Sequence, residues 1–429
     1  MKVSLLTAIL AASAPAWAQQ SPQSVLVTGN PLRSSDIATP ASVLSSNGLV
    51  LRRSSSLGDT LDGLPGLSST YFGPNAARPV IRAQDGDHIR VLNNSGASLD
   101  ASSLSFDHAV PIEPLVVERI EVLRDSAALL YGGSVVGGGV NAIDNRIPKA
   151  RIDLVSGAFE ARLGGAAGER SASALVETGG SGFALHADAF ARATDDLRVP
   201  AFDRPLQFGS TQRRTNVANS ASRAEGGAVG SSVLWPEGHL GASLDTYRND
   251  YGIVAEDDIT IRMRRERFAV AGEVRVRAGF ISTLRAKATG TDYGHREIEG
   301  DGQMGTTFET RGTDARVEAM HRALPLGGGR VEGSFGLQFE SSRFSALGAE
   351  AFVPSTRTRK AAVFVLERWS WADSGHVSIG LRAEQVRDGC ACGCGCSQRA
   401  MRTPAQRSSG RPRNAGFRPA AQPSVPCST

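Results

Sequence analysis

Cysteine is absent from residues 1–389, and the five in the chain stand at Cys390, Cys392, Cys394, Cys396 and Cys427. Disulfides therefore cannot hold the main body together. After residue 18 no apolar run approaches the ~20 residues that a membrane helix needs, so any membrane crossing would be made with strands. An excess of one charge is also lacking, since Lys+Arg minus Asp+Glu is 47 − 43 = +4. Six Arg against one acidic residue from Asp388 onward supply +5, which leaves −1 for residues 1–387. That balance gives no reason to expect a nucleic-acid partner. The glycines between Gly132 and Gly139 are followed by no Lys-Ser or Lys-Thr, so they read as backbone turns rather than as a phosphate loop. No Ser, His and Asp have a context that suggests nucleophilic catalysis, and neither an enzyme activity nor a resident cofactor is expected.

What the chain does have is glycine, 48 of 429 residues, with 21% charged residues and a mean hydropathy of −0.17. This composition suits a turn-rich β chain, and the length calls for more than one structural unit. Residues 1–18 read as a secretory signal peptide. Lys2 precedes the mostly apolar stretch from Val3 to Ala14, and Ala16-Trp17-Ala18 forms an A-x-A cleavage site. No Cys follows that site, which argues against a lipoprotein anchor. Next come a polar lead and Ser24-Val25-Leu26-Val27-Thr28, an extended apolar-leaning segment. Such a segment either adds as a strand to a partner's sheet edge or opens the next domain as its first strand.

Residues 36–150 read as a mixed α/β unit. A short helix opens at Ser56 and stops at the Gly63-Leu64-Pro65-Gly66 breaker. Short strands are predicted at 80–82 and 88–92, flanking an Asp85-Gly86-Asp87 turn, and at 118–123 with Ile120 and Val122 on one face. Beyond Pro148 a period of two takes over. Val331, Phe335, Leu337 and Phe339 share one face of residues 330–339, against Arg330, Glu332, Ser334 and Gln338. Val377, Ile379, Leu381 and Ala383 share one face of 376–384, and the split recurs at 239–245, 268–277, 283–289 and 314–319. Alternation of this kind predicts the lipid-facing and lumen-facing sides of a transmembrane barrel wall, with a soluble sandwich as the alternative.

The strings Gly63-Leu64-Pro65-Gly66-Leu67, Pro79-Val80-Ile81-Arg82, Val117-Glu118-Arg119-Ile120-Glu121-Val122-Leu123-Arg124 and Ala128-Leu129-Leu130-Tyr131-Gly132-Gly133 resemble, in order and spacing, the plug of TonB-dependent outer-membrane receptors. The resemblance implies an α+β plug domain followed by an antiparallel transmembrane β-barrel in the outer membrane. It also implies energised uptake of scarce metals, metal chelates or cofactors, with the TonB energy-transducing protein and outer-membrane lipid as partners. Ser24 to Thr28 then becomes the TonB box. Leu99 to Val110, Asp144-Asn145-Arg146-Ile147-Pro148 and, more weakly, Glu350-Ala351-Phe352-Val353-Pro354 look like the zinc-uptake subgroup. Haem or a siderophore is the alternative cargo, and a soluble periplasmic or non-transporting envelope β-protein the alternative class. The family usually has Gly where Ala83 stands, and Arg-Gly-Pro where this chain has Arg124-Asp125-Ser126. A side chain at such a turn costs on the order of 1 kcal/mol where φ is positive.

Asp107-His108 is the expected pair of metal ligands, because a carboxylate and an imidazole suit Zn²⁺ and the serine-rich segment around them reads as a loop. Glu350 is a further candidate from the barrel side, while His88 reads as structural or solvated. The domain map is residues 1–18 signal, 19–35 TonB box and linker, 36–150 plug, 151–387 partial barrel of ten to twelve strands, and 388–429 tail. That tail is rich in Arg, Pro and Cys, and reads as a shifted frame rather than as a cluster of metal-binding thiolates. Half a barrel would leave an open edge, so this product is expected to be truncated and inactive.

Overall fold

The computed structural model describes residues 42–390 apart from positions 125, 133–134, 206–208, 257, 349–350, 352–353 and 372–374. The signal segment, the TonB-box segment, Glu350 and the cysteines beyond Cys390 lie outside the described residues. The first unit opens with β1 (Ser42–Ser45), α1 (Ser46–Arg52) and α2 (Leu57–Leu61). Helix α2 starts where the sequence places it, because the Ser56 hydroxyl accepts from the Asp59 N–H at 3.2 Å and satisfies an orphan donor of the first turn. It ends at the Gly63 breaker.

Strands β2 (Leu67–Ser69) and β3 (Pro79–Ile81) pair with each other. Then follow β4 (Ile89–Asn93), β5 (Gly96–Ala97), β6 (Arg119–Leu123), α3 (Ser126–Leu129) and β7 (Gly138–Ile143). These build a sheet in the order β1-β6-β7-β4-β5, with β4 and β7 parallel. Ile120 and Val122 enter its core beside Leu44, Leu49, Val140 and Ala142. Each large side chain buried there is worth roughly 1.5–3 kcal/mol.

Strands β3 and β4 flank the Asp85-Gly86-Asp87 turn but do not pair, since β3 belongs with β2 and β4 with β5 and β7. The chain has already turned at Arg82 and Ala83, both with positive φ, and the Gln84 N–H returns to the Ile81 carbonyl at 2.9 Å. A 3-10 turn at Gly86–His88 then leads into a different sheet.

The second unit is a wall of long strands. They are β8 (Ser156–Gly164), β9 (Glu169–Gly179), β10 (Phe183–Thr194), β11 (Arg198–Pro205), β12 (Thr211–Asn216), β13 (Ser222–Trp235) and β14 (Gly238–Gly252). They continue as β15 (Thr260–Arg275), β16 (Ile281–Ile298), β17 (Met304–His321), β18 (Leu324–Leu326), β19 (Gly329–Leu347), β20 (Thr356–Trp371) and β21 (Gly375–Cys390). Eleven of them form one antiparallel sheet running from β8 to β21, β18 pairs with β19 at its side as the twelfth, and β11 and β12 make a separate hairpin. The fourteen strands of this unit exceed the ten to twelve expected, the surplus being the β11–β12 hairpin that stands apart from the sheet. Strand β21 runs three residues past Arg387, and the Thr358 hydroxyl donates to Asp388 at 2.6 Å.

The wall is inside-out relative to a soluble sandwich. Leu337 and Leu381 are 61% and 63% exposed, whereas Asp245 and Glu340 are 4% and 5% exposed. Apolar side chains face outward, and polar ones face inward onto the first unit, as in an outer-membrane barrel. No helix among the described residues is long and apolar enough to cross a membrane.

The plug unit is seated against this wall by charge and by apolar contact. Arg146, at its exit, pairs with Asp188 of β10 at 2.9 Å and with Asp245 of β14 at 3.3 Å. A Cβ at Gly230 of β13 would overlap the Arg146 carbonyl, so the missing side chain is what lets the segment approach. Arg192 pairs with Glu113 at 3.1 Å, both side chains fully buried. Leu92, Leu123, Leu130 and Tyr131 pack on Phe364 and Leu366 of β20.

Candidate metal site

Between β5 and β6 the plug runs through a loop whose shape is set by its own serines and aspartates. The Asp100 carboxylate accepts from the Ser102 N–H at 2.8 Å and from the Ser98 hydroxyl, an Asx-type turn. Arg78 donates to the Ser102 and Ser105 carbonyls and lies over the Phe106 ring at 4.9 Å. Tyr251 of β14 fixes the next stretch to the wall. Its hydroxyl accepts from the Ala109 N–H and donates to the Asp107 carbonyl, both at 2.9 Å, so the backbone is gripped on either side of His108.

His108 is 2% exposed, and its Nδ1 donates to the Ala101 carbonyl at 3.0 Å. With the proton on Nδ1, the Nε2 lone pair is free to bind a metal, the arrangement that orients most histidine ligands. Burial, the largest influence, holds the imidazole below the ordinary histidine value and so keeps it neutral. Its neighbours come from β16, where Tyr293, His295 and Glu297 alternate onto the inward face. His295 Nδ1 meets the Tyr293 hydroxyl at 2.8 Å, while its buried Nε2 has no hydrogen-bond partner. A Glu297 oxygen lies 4.0 Å from His108 Nε2, and the other accepts from the Thr306 N–H at 3.3 Å.

One ligand atom from each of His108, His295 and Glu297 lies within 4.8 Å of the other two, the one such group of three among the described residues. Ligands of a tetrahedral Zn²⁺ stand about 3.4 Å apart, given bonds of ~2.1 Å, so the group need close by only about an ångström. Phe308 of β17 stacks on His295 at 4.6 Å and meets His108 at 4.9 Å, giving the site an apolar floor. Two imidazoles, one carboxylate and an open fourth position suit a borderline divalent cation.

Of the two predicted ligands, the structure brings His108 into this group and leaves Asp107 outside it. The half-buried Asp107 carboxylate accepts instead from the Ser105 hydroxyl. His88 is exposed in its 3-10 turn, as a solvated residue would be. His295 and Glu297 were not anticipated. The signal that could have found them is the i, i+2 spacing in Tyr293-Gly294-His295-Arg296-Glu297, which continues the alternation recognised only as far as Thr289.

Comparison with known families fits this architecture. Residues 33–139 match the model described as TonB-dependent Receptor Plug Domain. The solved "Copper transporter OprC" superposes with a TM-score of 0.63 at 15% identity, over 78% of this chain and 52% of that one. The fold is that of a TonB-dependent receptor. A mutant ferric enterobactin receptor PfeA from Pseudomonas aeruginosa, in complex with enterobactin, gives 0.60 at 16% identity over 81% and 58% of the two chains. The siderophore receptor PirA from Pseudomonas aeruginosa gives 0.56 at 18% identity over 81% and 56%. This chain thus spans between half and three fifths of the length of these three receptors. In TonB-dependent receptor terms, the described residues comprise the plug and a twelve-stranded part of the barrel.

Proposed function

We propose that this chain is the plug-bearing part of an outer-membrane receptor for energised uptake of a metal ion or metal complex, with Zn²⁺ as the cargo. It is not an enzyme. In this reading residues 1–18 direct export, 19–35 carry the TonB box and linker, 36–150 form the plug, and the wall begins at 151. Residues Ser24, Val25, Leu26, Val27 and Thr28 add as a strand to the energy-transducing TonB protein.

The observation that carries the cargo assignment is the meeting of His108, from the plug, with His295 and Glu297, from the wall. A cation held there bridges the two units, and movement of the plug separates its ligands. Asp107, next to His108, remains a candidate fourth ligand through rotation of its half-buried carboxylate. Copper is the second reading, since two imidazoles and a carboxylate also suit Cu(II), and the name of OprC specifies copper.

Titration of the purified chain with Zn²⁺ and with Cu²⁺ tests the assignment. His108→Ala, His295→Ala and Glu297→Ala should each weaken binding at least ~tenfold. Two imidazoles and a carboxylate bind Cu²⁺ more tightly than Zn²⁺ whatever the cargo, so the ion whose energised uptake is lost in the three variants, not the tighter binder, identifies it. Equal affinities in the parent and all three variants would refute the site, and a siderophore or haem would replace the bare ion.

A further inference from the structure

The outward face of the last wall strands carries two tiers of arginine for which the uptake reading has no use. Cross-strand register places Arg343 of β19 directly opposite Arg357 of β20, and Arg359 of β20 directly opposite Arg387 of β21. All four are exposed. On the other side of Arg343, in the same row, stands Arg311 of β17, which is held by Asp292 at 2.9 Å. Among the described residues Arg343, Arg357 and Arg359 make no ion pair. On β19, β20 and β21 the outward positions of these tiers and of the tier below are Arg343, Ser341, Phe339, then Arg357, Arg359, Ala361, then Gly389, Arg387, Gln385, with no carboxylate among them. Like charges directly opposite on a sheet repel one another, so the arrangement calls for an anion.

Directly below the arginines the same face turns apolar. Leu337, Phe339, Ala361, Val363, Ala383 and Val317 line a shallow groove of about 990 Å³. The face ends at Trp369 and Trp371, whose rings lie 4.8 Å apart beside the short 322–328 connection. From Ala361 to Trp369 a tilted strand rises roughly 20 Å, close to the height of the apolar band of an outer-membrane barrel. The arginines therefore stand at the upper edge of that band. They are at the end of the wall that carries the longest connections, which in such barrels faces outward from the cell.

We propose that this surface is a docking site for a phosphorylated acyl lipid of the outer leaflet. The phosphate sits among Arg343, Arg357, Arg359 and Arg387, and the acyl chains lie along the groove beneath. Guanidinium groups suit this role because they bind phosphate through paired N–H donors and keep their charge at the membrane surface. The zwitterionic alternative fails on charge, because its cationic headgroup would face arginine. The proposal rests on the wall facing lipid, but it does not depend on which metal is carried.

The test uses native mass spectrometry of the whole chain in a mild non-ionic detergent, with dipalmitoyl phosphatidic acid and dipalmitoyl phosphatidylcholine as probes. The parent should retain phosphatidic acid at least ~tenfold more tightly, since each arginine near an anionic surface contributes about a fivefold preference. An Arg343→Gln, Arg357→Gln, Arg359→Gln triple variant should lose that preference. The matching triple change to Lys should keep most of it, which separates loss of charge from loss of fold. Arg248→Gln, on the outward face of β14 and 3.8 Å from Glu225, should leave it intact. A Gln triple variant that holds phosphatidic acid as tightly as the parent would overturn the proposal. So would full displacement of the lipid by millimolar inorganic phosphate, because the site would then take a free anion. A chain that is strand-rich and monomeric without any detergent would instead overturn the membrane reading itself.

Discussion

Arg146 donates to both carboxylate oxygens of Asp188, from Nε at 2.9 Å and from Nη2 at 3.1 Å, and so ties the end of the plug to the barrel wall. The same guanidinium faces Asp245 at 3.3 Å and Asp144 at 3.7 Å, and His186 Nε2–H donates to Asp188 at 3.0 Å. Arg146 thus touches three buried carboxylates, of which Asp188 is shared with His186 and Asp245 with Arg265. Arg146→Ala should destabilise the seating of the plug by on the order of 1–3 kcal/mol, because Asp144 loses its cation and the plug its link to Asp188 and Asp245, while Asp188 keeps His186 and Asp245 keeps Arg265. Limited proteolysis and hydrogen exchange across residues 138–148 measure this directly, and parent-like protection there would show that the pairs carry no net stability.

Ala83 offers a test with the opposite sign. It sits at φ 62° in the turn that ends β3, a conformation in which a Cβ is strained. Ala83→Gly should therefore stabilise the plug by roughly 0.5–1 kcal/mol, less the greater freedom that glycine gives the unfolded chain. The readout is the urea midpoint of plug unfolding, which should rise in the variant.

The pH dependence of the plug is set in part by Asp59 in α2. Burial first, and the neighbouring Asp62 second, push its carboxyl from 3.8 up to about 6. The folded state thus holds a proton more tightly than the unfolded state does. Its stabilising contribution is complete below about pH 4 and is lost as the pH rises through about 6. Protection factors of the α2 amides should fall across that window in the parent and stay level in Asp59→Asn.

Much of this architecture is legible in the residues because the physics there is local or periodic. Ser56 announces a helix start, Ile120 and Val122 a buried strand face, and the alternation around Leu337 and Leu381 an outward apolar wall. The failures have the opposite character. The turn at Asp85 leaves the pairing of its flanking strands open, because turn chemistry reports a change of direction and is blind to which strand will be the hydrogen-bond partner. Asp107 and His108 look like one unit because they are adjacent, yet Tyr251 grips the backbone on both sides of His108 and sends the two side chains to different neighbours. His295 and Glu297 lie 187 and 189 residues beyond His108 in sequence. Only the register of β16 against the plug brings them to it.

The proposed TonB box lies outside the described part of the chain. Val27 lies at the middle of the proposed partner-binding strand, and Val27→Pro removes one ladder N–H there. Loss of such a hydrogen bond costs about 1–3 kcal/mol, so binding to the periplasmic domain of TonB should weaken on the order of tenfold or more. Undiminished binding in a pull-down or calorimetric titration would place the contact elsewhere.

Among the described residues β8 and β21 stand at opposite ends of the twelve-stranded sheet and do not pair with each other. Each edge presents a row of N–H and C=O groups, and every such group left unsatisfied in hydrocarbon costs several kcal/mol. A mild detergent can cover the apolar face, but it supplies no partner for these backbone groups. Closed barrels resist SDS until boiled because every strand is bonded on both sides, so unfolding has no end from which to start. Here β21 can peel from β20, and β8 from β9, without any closed ring being broken. The chain should therefore run at the same position on SDS gels with and without boiling, and protease should trim it from the wall edges inward. A heat-modifiable, protease-resistant band at full length would mean that residues beyond Cys390 close the sheet, or that two chains pair edge to edge. Cross-linking would distinguish these two cases by mass.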